Sequence, residues 1–572
     1  MNIFQYALPH YSKKRLKCKQ LRLLFSLFVF HSLYVASSVY SQTLAPIQLL
    51  VDACDTIQIA EAENYLWTSG NQDVVMVDKN GVVCGVNPGS TYVAAVSKNT
   101  SASYRTEITV VGNSGSREVS SSSSKEASMC STSASTLEQL ISQEGYQKTD
   151  SRLKVAENQR LLLWSDGSPF IFLSQTLWSM ARRLTREEII DVLDICQAQG
   201  FTAIQFIAHA HYMGANRYGD IPFEDENFAC PRITPGSNPE DSLEYDWWDH
   251  VEFIVQQSTK RGMVVCLLPT WREQWNQKNN LNEHNALTYG KFIGARFQHL
   301  NDSIIWVMGG DAAPDTKAKL NIHRDLARGI ALGINGQEDY GNLIMTYHTH
   351  GPTITNNYIS GAEPFMDFNT IQSGHSLDNL EGMMVASYSS QNKPTVDFEP
   401  LYDKNGQLIH EARTTIYWGI FQGGFGTSYG NWNIWHCGAR DDIAQFRIPE
   451  SFEQSFGTQI RHIGQLLHSH PMELRVPKPD LLVNNGTGGA YRILAMSATD
   501  STYAYVYSPT GASFKVDLGL LKNKKLRYQW FNPRSGTIER KGTFIRENEA
   551  QTFHPPSQGE PFTGHDWVLI LD

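Results

Sequence analysis

Ser303-Ile-Ile-Trp-Val-Met-Gly-Gly-Asp311 and Pro394-Thr-Val-Asp-Phe-Glu399-Pro400 are the two stretches on which the fold reading turns. Each is a short apolar run that stops at an acid, and Pro400 ends the second because proline cannot donate into a strand ladder. Gly309 and Gly310 let backbone approach a ligand closely beside Asp311. Six further runs read as strands, at 169–178, 201–210, 263–271, 342–351, 367–375 and 425–435, making the first two the fourth and seventh of a series. Helical spacing falls between most of them, at 185–200, 246–261, 286–300, 317–332, 377–389, 413–423 and 452–468. Thr185-Arg-Glu-Glu188 opens the first helix as a capping box. Repeats of this length imply an α/β fold, an eight-stranded β/α (TIM) barrel over 150–475, with its site at the C-terminal ends of the strands.

The flanking segments read as β structure. Short runs at 66–69, 74–77, 81–86, 91–95 and 106–110, with Asn-Gly and Pro-Gly between some of them, predict a small β-sandwich over 42–112. Residues 113–136 carry a serine run at 120–124 and cannot bury a core, so they read as a linker. From 478 to 572 alternation returns, as in Tyr503-Ala-Tyr-Val-Tyr507 and Asp566-Trp-Val-Leu-Ile570, and predicts a second β-sandwich.

Residues 1–41 read as an export signal. Lys13, Lys14, Arg15, Lys17, Lys19 and Arg22 precede a nearly uncharged stretch at 23–39, and Val39-Tyr40-Ser41 suits cleavage before Gln42. The alternative is an uncleaved membrane anchor. Nothing later is long enough to span a bilayer, so no membrane span is expected after cleavage, and the protein is expected in the periplasm, outside the cell or on its surface. The formal charge of -10 argues against nucleic acid as a partner, since phosphate binding is built from excess Lys and Arg. The eight cysteines include no CxxC pair, which disfavours a zinc ribbon. Cys54 and Cys84 fall in one small β module and could pair in an oxidising compartment.

If Asp311 and Glu399 face each other at the barrel mouth, they form the carboxyl pair that a glycosidase needs on either side of a sugar–sugar bond. Asp311 would protonate the leaving oxygen and Glu399 would attack the anomeric carbon. Other strand ends add hydroxyl-binding groups and rings: Gln175 and Trp178; His209, His211 and Tyr212; Trp271; Tyr347, His348 and His350; Gln372 and His375; Tyr429, Asn431 and Trp435. About half of such residues are expected to touch ligand and the rest to be packed core. Alternation in a strand puts His209/His211 and His348/His350 on shared faces, so each pair could bind zinc, as in a metal-dependent hydrolase. The first strand, Ser174-Gln175-Thr176, lacks the His-x-His that such barrels carry there, and the eighth offers no Asp, so no metal and no cofactor are expected.

The barrel resembles the DUF4038 group, glycoside hydrolase family 140. The resemblance is carried by Leu184-Thr-Arg-Glu-Glu188, Gln199-Gly-Phe201, Leu268-Pro-Thr-Trp271, Ile305-Trp-Val-Met-Gly-Gly-Asp311, Met345-Thr-Tyr-His348, Asp367-Phe-Asn-Thr-Ile-Gln-Ser-Gly-His375 and Glu399-Pro400. It implies apiosidase-like action on the pectic polymer rhamnogalacturonan II, with Asp311 as acid/base and Glu399 as nucleophile. Tyr507-Ser-Pro-Thr-Gly511, Trp530-Phe-Asn-Pro-Arg534 and Asp566-Trp-Val-Leu resemble the β domain with a collagen-binding label that usually follows such barrels. Trp67-Thr-Ser, Val77-Asp-Lys-Asn-Gly-Val-Val and Asn87-Pro-Gly-Ser-Thr resemble a bacterial Ig-like module of group 2. The first strand departs from its relatives, which read Gly-Asp-Thr-Ala-Trp-Glu: Gln175 and Ser179 stand where they carry acids. The expectation is an exported retaining glycosidase with an oligo- or polysaccharide substrate, a plant cell-wall side chain. The competing one is a non-catalytic carbohydrate-binding or adhesion protein on the same barrel.

Overall fold

The computed structural model describes residues 41–43, 47–50, 54–56, 65–69, 74–77, 81–97, 103–111, 152–209, 214–241, 243–374, 380–390, 393–404, 406, 408–437, 448–453, 456–484 and 487–572. Residues 1–40 of the expected leader, the serine-rich linker, His211, Tyr212 and His375 lie outside them. The described residues fall into two compact units, one ending at Val111 and one beginning at Arg152.

In the first unit, Ser103–Val111 pairs antiparallel with Gly89–Ser97, which pairs in turn with Tyr65–Ser69. Ser41–Thr43 and Ile47–Leu50 run parallel to Ser103–Val111. A second sheet holds Cys54–Thr56, Val82–Gly85 and Val75–Val77. Val75, Val83, Val93, Ile108 and Val110 form the core. Cys84 is disulfide-bonded, and Cys54 is its cross-strand neighbour.

The second unit is built on a curled mixed sheet with helices around it, a barrel-like α/β fold. Its parallel strands are β1 (Phe172–Thr176), β2 (Ala203–Ile207), β3 (Val264–Leu268), β4 (Ile304–Gly309), β5 (Met345–His348), β6 (Asn369–Gln372), β7 (Thr395–Asp397) and β8 (Gly426–Tyr429). All are buried along their whole length, as expected of strands covered on both faces. Hydrogen bonding runs β5-β4-β3-β2-β1-β8-β7-β6, and the short Thr353–Ile354 adds antiparallel to β6. The two ends of this order meet without a regular ladder. Asp367 N donates to Met345 O (2.9 Å), the Asp367 carboxylate accepts Met345 N–H (2.7 Å), and Thr346 Oγ1 donates to Phe368 O (2.7 Å). Side chains thus supply bonds that a ladder would otherwise make.

The longer helices are α1 (Arg186–Ala198), α2 (Trp247–Lys260), α3 (Ala286–Arg296), α4 (Lys317–Asn335), α5 (Leu380–Ser390), α6 (Ile409–Phe421) and α7 (Ile460–His468). Both halves of the Thr185/Glu188 capping box form. Between β5 and β6 the chain makes Thr353–Ile354 and a single turn, Thr355–Asn357, in place of a full helix.

Beyond the barrel-like domain, Arg475–Pro477, Leu494–Ala498, Ala504–Ser508, Trp567–Leu571, Lys525–Asn532 and Thr537–Ile545 form an antiparallel sheet in that order. Phe514–Asp517 and Ala550–Phe553 form a separate pair. Alternation divides the larger sheet. Tyr503, Tyr505, Tyr507, Val568 and Ile570 join the core of the barrel-like domain, while Ala504, Val506, Leu569 and Leu571 pack with Phe514, Val516 and Phe553.

Candidate active site

Three consecutive residues with left-handed backbone, Gly309 (φ 87°), Gly310 (φ 96°) and Asp311 (φ 52°), lift the chain off the end of β4. The glycines are required sterically as well. A Cβ at Gly309 would stand 2.5 Å from His348 O, and one at Gly310 would stand 2.6 Å from the Trp271 ring. Asp311 is non-glycine in the same conformation, the kind of local strain that clusters at functional sites. Its backbone N–H donates to His348 Nδ1 (3.2 Å). A backbone N–H can only donate, so neutral His348 carries its proton on Nε2. That nitrogen lies 3.3 Å from Glu399 Oε2, at an angle that misses a proper hydrogen bond.

Gln372 sits between the two acids. Its Nε2 donates to Glu399 Oε2 at 2.6 Å, and its side chain lies near enough to Asp311 to act on that carboxyl. Burial first, then the charge of Glu399, push the Asp311 carboxyl above the ordinary aspartate range; Arg272, His348 and Gln372 act against them. Arg272 Nη1 lies 2.5 Å from Asp311 Oδ2, with the arginine side chain 40% exposed and the aspartate 22%. The pair is therefore open to solvent and not sealed in the core. A cleft of about 440 Å³ opens beside Asp311, walled by Arg272, Asn276, Lys319, His350 and Tyr358.

Below the acids, Trp178, Trp271 and His348 form a packed aromatic cluster, with ring centroids 5.1 Å (Trp178–Trp271) and 5.5 Å (each to His348) apart. The structure therefore brings Asp311, Glu399, Trp178, Trp271, His348, His350 and Gln372 together. It places other candidates in the packed surround. Tyr347 is buried, and its hydroxyl donates to Ala312 O (2.8 Å), holding the Asp311 loop from behind. His209 is buried edge-on to Phe228. Gln175 is fully buried, its Nε2 bonded to Thr176 O (3.1 Å) and its Oε1 without a hydrogen-bond partner. Tyr429 stacks on Phe201 and donates to Asp403 Oδ2 (3.2 Å); Asn431 donates to the same oxygen (3.4 Å). Trp435 stacks on His436, whose Nδ1 is 3.1 Å from Ser179 Oγ. Among the described residues, no group of three His, Cys, Asp or Glu side chains converges as a metal site.

Four residues of this site escaped sequence reasoning. Arg272 follows Trp271, one position past the last residue of the third predicted strand. Tyr402 lies three residues after Glu399: its hydroxyl accepts from Trp178 Nε1 (2.9 Å) and bonds to Glu399, and burial and the Glu399 charge push the phenol far up. Trp432 is 44% exposed with its ring 6.3 Å from that of Tyr402, so an aromatic face is open to solvent beside Tyr402. Asp397 is fully buried, and its Oδ1 accepts the Glu399 N–H (3.3 Å). The signal available for Arg272 and Tyr402 was position alone, immediately beyond a strand that ends at the mouth.

The profile of the family described as apiosidase-like, catalytic domain, matches residues 156–473. A collagen-binding domain profile of the kind described for a collagenase matches residues 476–572, and one described as bacterial Ig-like domain (group 2) matches residues 52–110. Among solved structures, the chain is similar to a glycoside hydrolase family 5 protein from Bacteroides vulgatus ATCC 8482, at 26% identity and a TM-score of 0.64 over 73% of this chain and 93% of that one. It is equally similar to a structure described as a glycoside hydrolase, at 26% identity and a TM-score of 0.65 over 74% and 96% of the two chains. No curated protein matches.

Proposed function

The chain belongs to the apiosidase-like family of glycoside hydrolases, and we propose on that premise that Asp311 and Glu399 carry a two-carboxylate, retaining cleavage of a glycosidic bond. The observation behind the reading is the His348 ring set between the two acids: its Nδ1 accepts the Asp311 N–H (3.2 Å) and its Nε2 lies 3.3 Å from Glu399 Oε2. A covalent glycosyl-enzyme requires the two carboxyls to stand about 5–5.5 Å apart, too close for a water between acid and base. Asp311 is the proton donor, its carboxyl raised by burial and by Glu399. Glu399 is the nucleophile, held by Gln372 and Tyr402.

The finer architecture belongs to the same proposal. The eight parallel strands are read as a closed β/α barrel over 150–475, sealed between β5 and β6 by Asp367 and Thr346, and residues 478–572 as a β-sandwich. Residues 42–112 are read as a separate Ig-like domain behind a signal over 1–41, joined to the barrel through a serine-rich linker over 113–136. Export to the periplasm or beyond is supported by the Cys84 disulfide, which belongs in an oxidising compartment. The proposed substrate is a pectin-type cell-wall side chain, after the family's name.

The test is release of sugar from rhamnogalacturonan II oligosaccharides by the wild type and by Asp311→Asn and Glu399→Gln. Each variant should lose about three orders of magnitude or more in kcat. NMR of the first-formed product should show the anomeric configuration of the substrate. Variants that keep their rate, or an inverted anomer, would overturn the assignment of roles.

A further inference from the structure

Arg272 is fixed at three points. Its backbone N–H donates to Gly310 O (3.0 Å), its Nη1 to Asp311 Oδ2 (2.5 Å) and its Nε to Glu273 Oε1 (3.2 Å). Glu273 is buried, and its other oxygen has no hydrogen-bond partner. A buried carboxylate in that state depends on a counter-charge, and the guanidinium supplies it. The guanidinium is therefore braced between two acids, one buried and one at the mouth, with the cleft on its open side.

We propose that Arg272, braced by Glu273, is the positioning residue that sets when Asp311 holds a proton. This rests on reading Asp311 as the acid/base carboxyl. In the first step the Asp311 proton passes to the leaving oxygen as the glycosidic C–O bond breaks and a Glu399 oxygen bonds the anomeric carbon. In the second step the Asp311 carboxylate takes a proton from water, whose oxygen displaces Glu399 and restores both groups. A guanidinium in contact favours the carboxylate; it assists the second step and opposes the first. The groups facing Asp311 from each element are Glu399 beyond β7, His348 on β5, Gln372 on β6 and Arg272 beyond β3. Further along the cleft are His350, Lys319 and Asp315, the last two paired at 2.8 Å. Glu399 opposes ionisation of Asp311. Arg272 is, among the described residues, the cation within hydrogen-bonding distance of it.

The test reads Asp311 directly. Full-length protein carrying aspartate labelled with ¹³C at Cγ is titrated by NMR, and the signal missing from Asp311→Asn identifies the residue. Arg272→Gln should move the titration midpoint up by about 1 pH unit, the low end for a carboxylate losing a neighbouring arginine because this one is part exposed. Arg272→Lys should stay near the wild-type midpoint. An unmoved midpoint in Arg272→Gln, in protein that melts like the wild type, overturns the proposal. If the midpoint moves but Asp311→Asn still cleaves rhamnogalacturonan II oligosaccharides at the wild-type rate, the acid/base reading fails and the coupling stands.

Discussion

Asp397 stands two residues before the proposed nucleophile, and its burial is complete. Burial first, with the nearby Ser373 and the Glu399 N–H acting the other way, leaves its carboxyl pushed up to about 7. The unfolded value is near 3.9, so between those limits the folded protein holds a proton that the unfolded chain has released. Stability from this group is complete below about pH 4 and is lost as pH rises towards 7. Asp397→Asn keeps an oxygen for the Glu399 N–H and cannot ionise. Its melting temperature relative to the wild type should therefore be more favourable at about pH 8.5 than at about pH 5. Equal differences at both would show that Asp397 stays ionised in the fold. How such residues read in sequence divides by chemistry. Asp311 and Glu399 were legible because an acid ending an apolar run is unusual. Asp397 sits inside its run, where the pattern registers only an interruption, and Arg272 and Tyr402 gain meaning only from neighbours 39 and 224 positions away.

Helices α3 and α4 approach so closely that glycine is required at four positions along their contact. A Cβ at Gly294 would lie 2.5 Å from Ile330 O; at Gly329, 2.5 Å from Leu287 O; at Gly333, 2.5 Å from Lys291 O; and at Gly290 it would meet Leu326 O. Each of these neighbours is backbone and cannot swing aside. Glycine in a helix ordinarily costs about 1 kcal/mol relative to alanine, so the sign of a Gly→Ala change depends on what surrounds it. Gly382, the third residue of α5, is exposed, with nothing within 4 Å of a would-be Cβ. Gly382→Ala should raise the melting temperature by the equivalent of about 0.5–1 kcal/mol. Gly329→Ala should lower it by the equivalent of about 2–4 kcal/mol. The same sign for both in a thermal melt would mean the helices can move apart at little cost. Periodicity had located these helices and the eight strands, because a core-facing stripe and a doubly covered strand both leave long-range patterns. It did not reveal that α3 and α4 touch backbone to backbone. Gly290-x-x-x-Gly294 and Gly329-x-x-x-Gly333 each read alone as a weak helix.

Domain order along the chain was also readable, from shifts between alternating and helical spacing. How the C-terminal sheet docks was not. Arg413, on α6, meets Asp566, 153 residues later, in a two-point ion pair (Nε to Oδ2 2.8 Å, Nη2 to Oδ1 2.7 Å) that is 1% and 2% exposed. Arg534 adds a third bond at 3.0 Å, and Tyr507, stacked 4.9 Å from Tyr417, adds a fourth at 3.4 Å. Against burial, which would raise it, Arg413 and then Arg534 hold the Asp566 carboxyl below the usual range. A depressed carboxyl stabilises the fold above its unfolded value near 3.9 and loses that contribution as pH falls through its folded value. Around the pair, rings and aliphatic side chains from the sheet belong to the same core as the barrel-like domain. Neither part then has a complete apolar surface without the other, so residues 152–572 should melt as one cooperative transition. Asp566→Asn leaves Arg413 buried without its counter-charge, at a cost of about 3–5 kcal/mol. Calorimetry of the full chain should show that transition displaced to lower temperature and still single. A new early transition in the variant, with the main one unmoved, would show instead that the C-terminal sheet folds on its own and that the buried pair only fastens two finished domains.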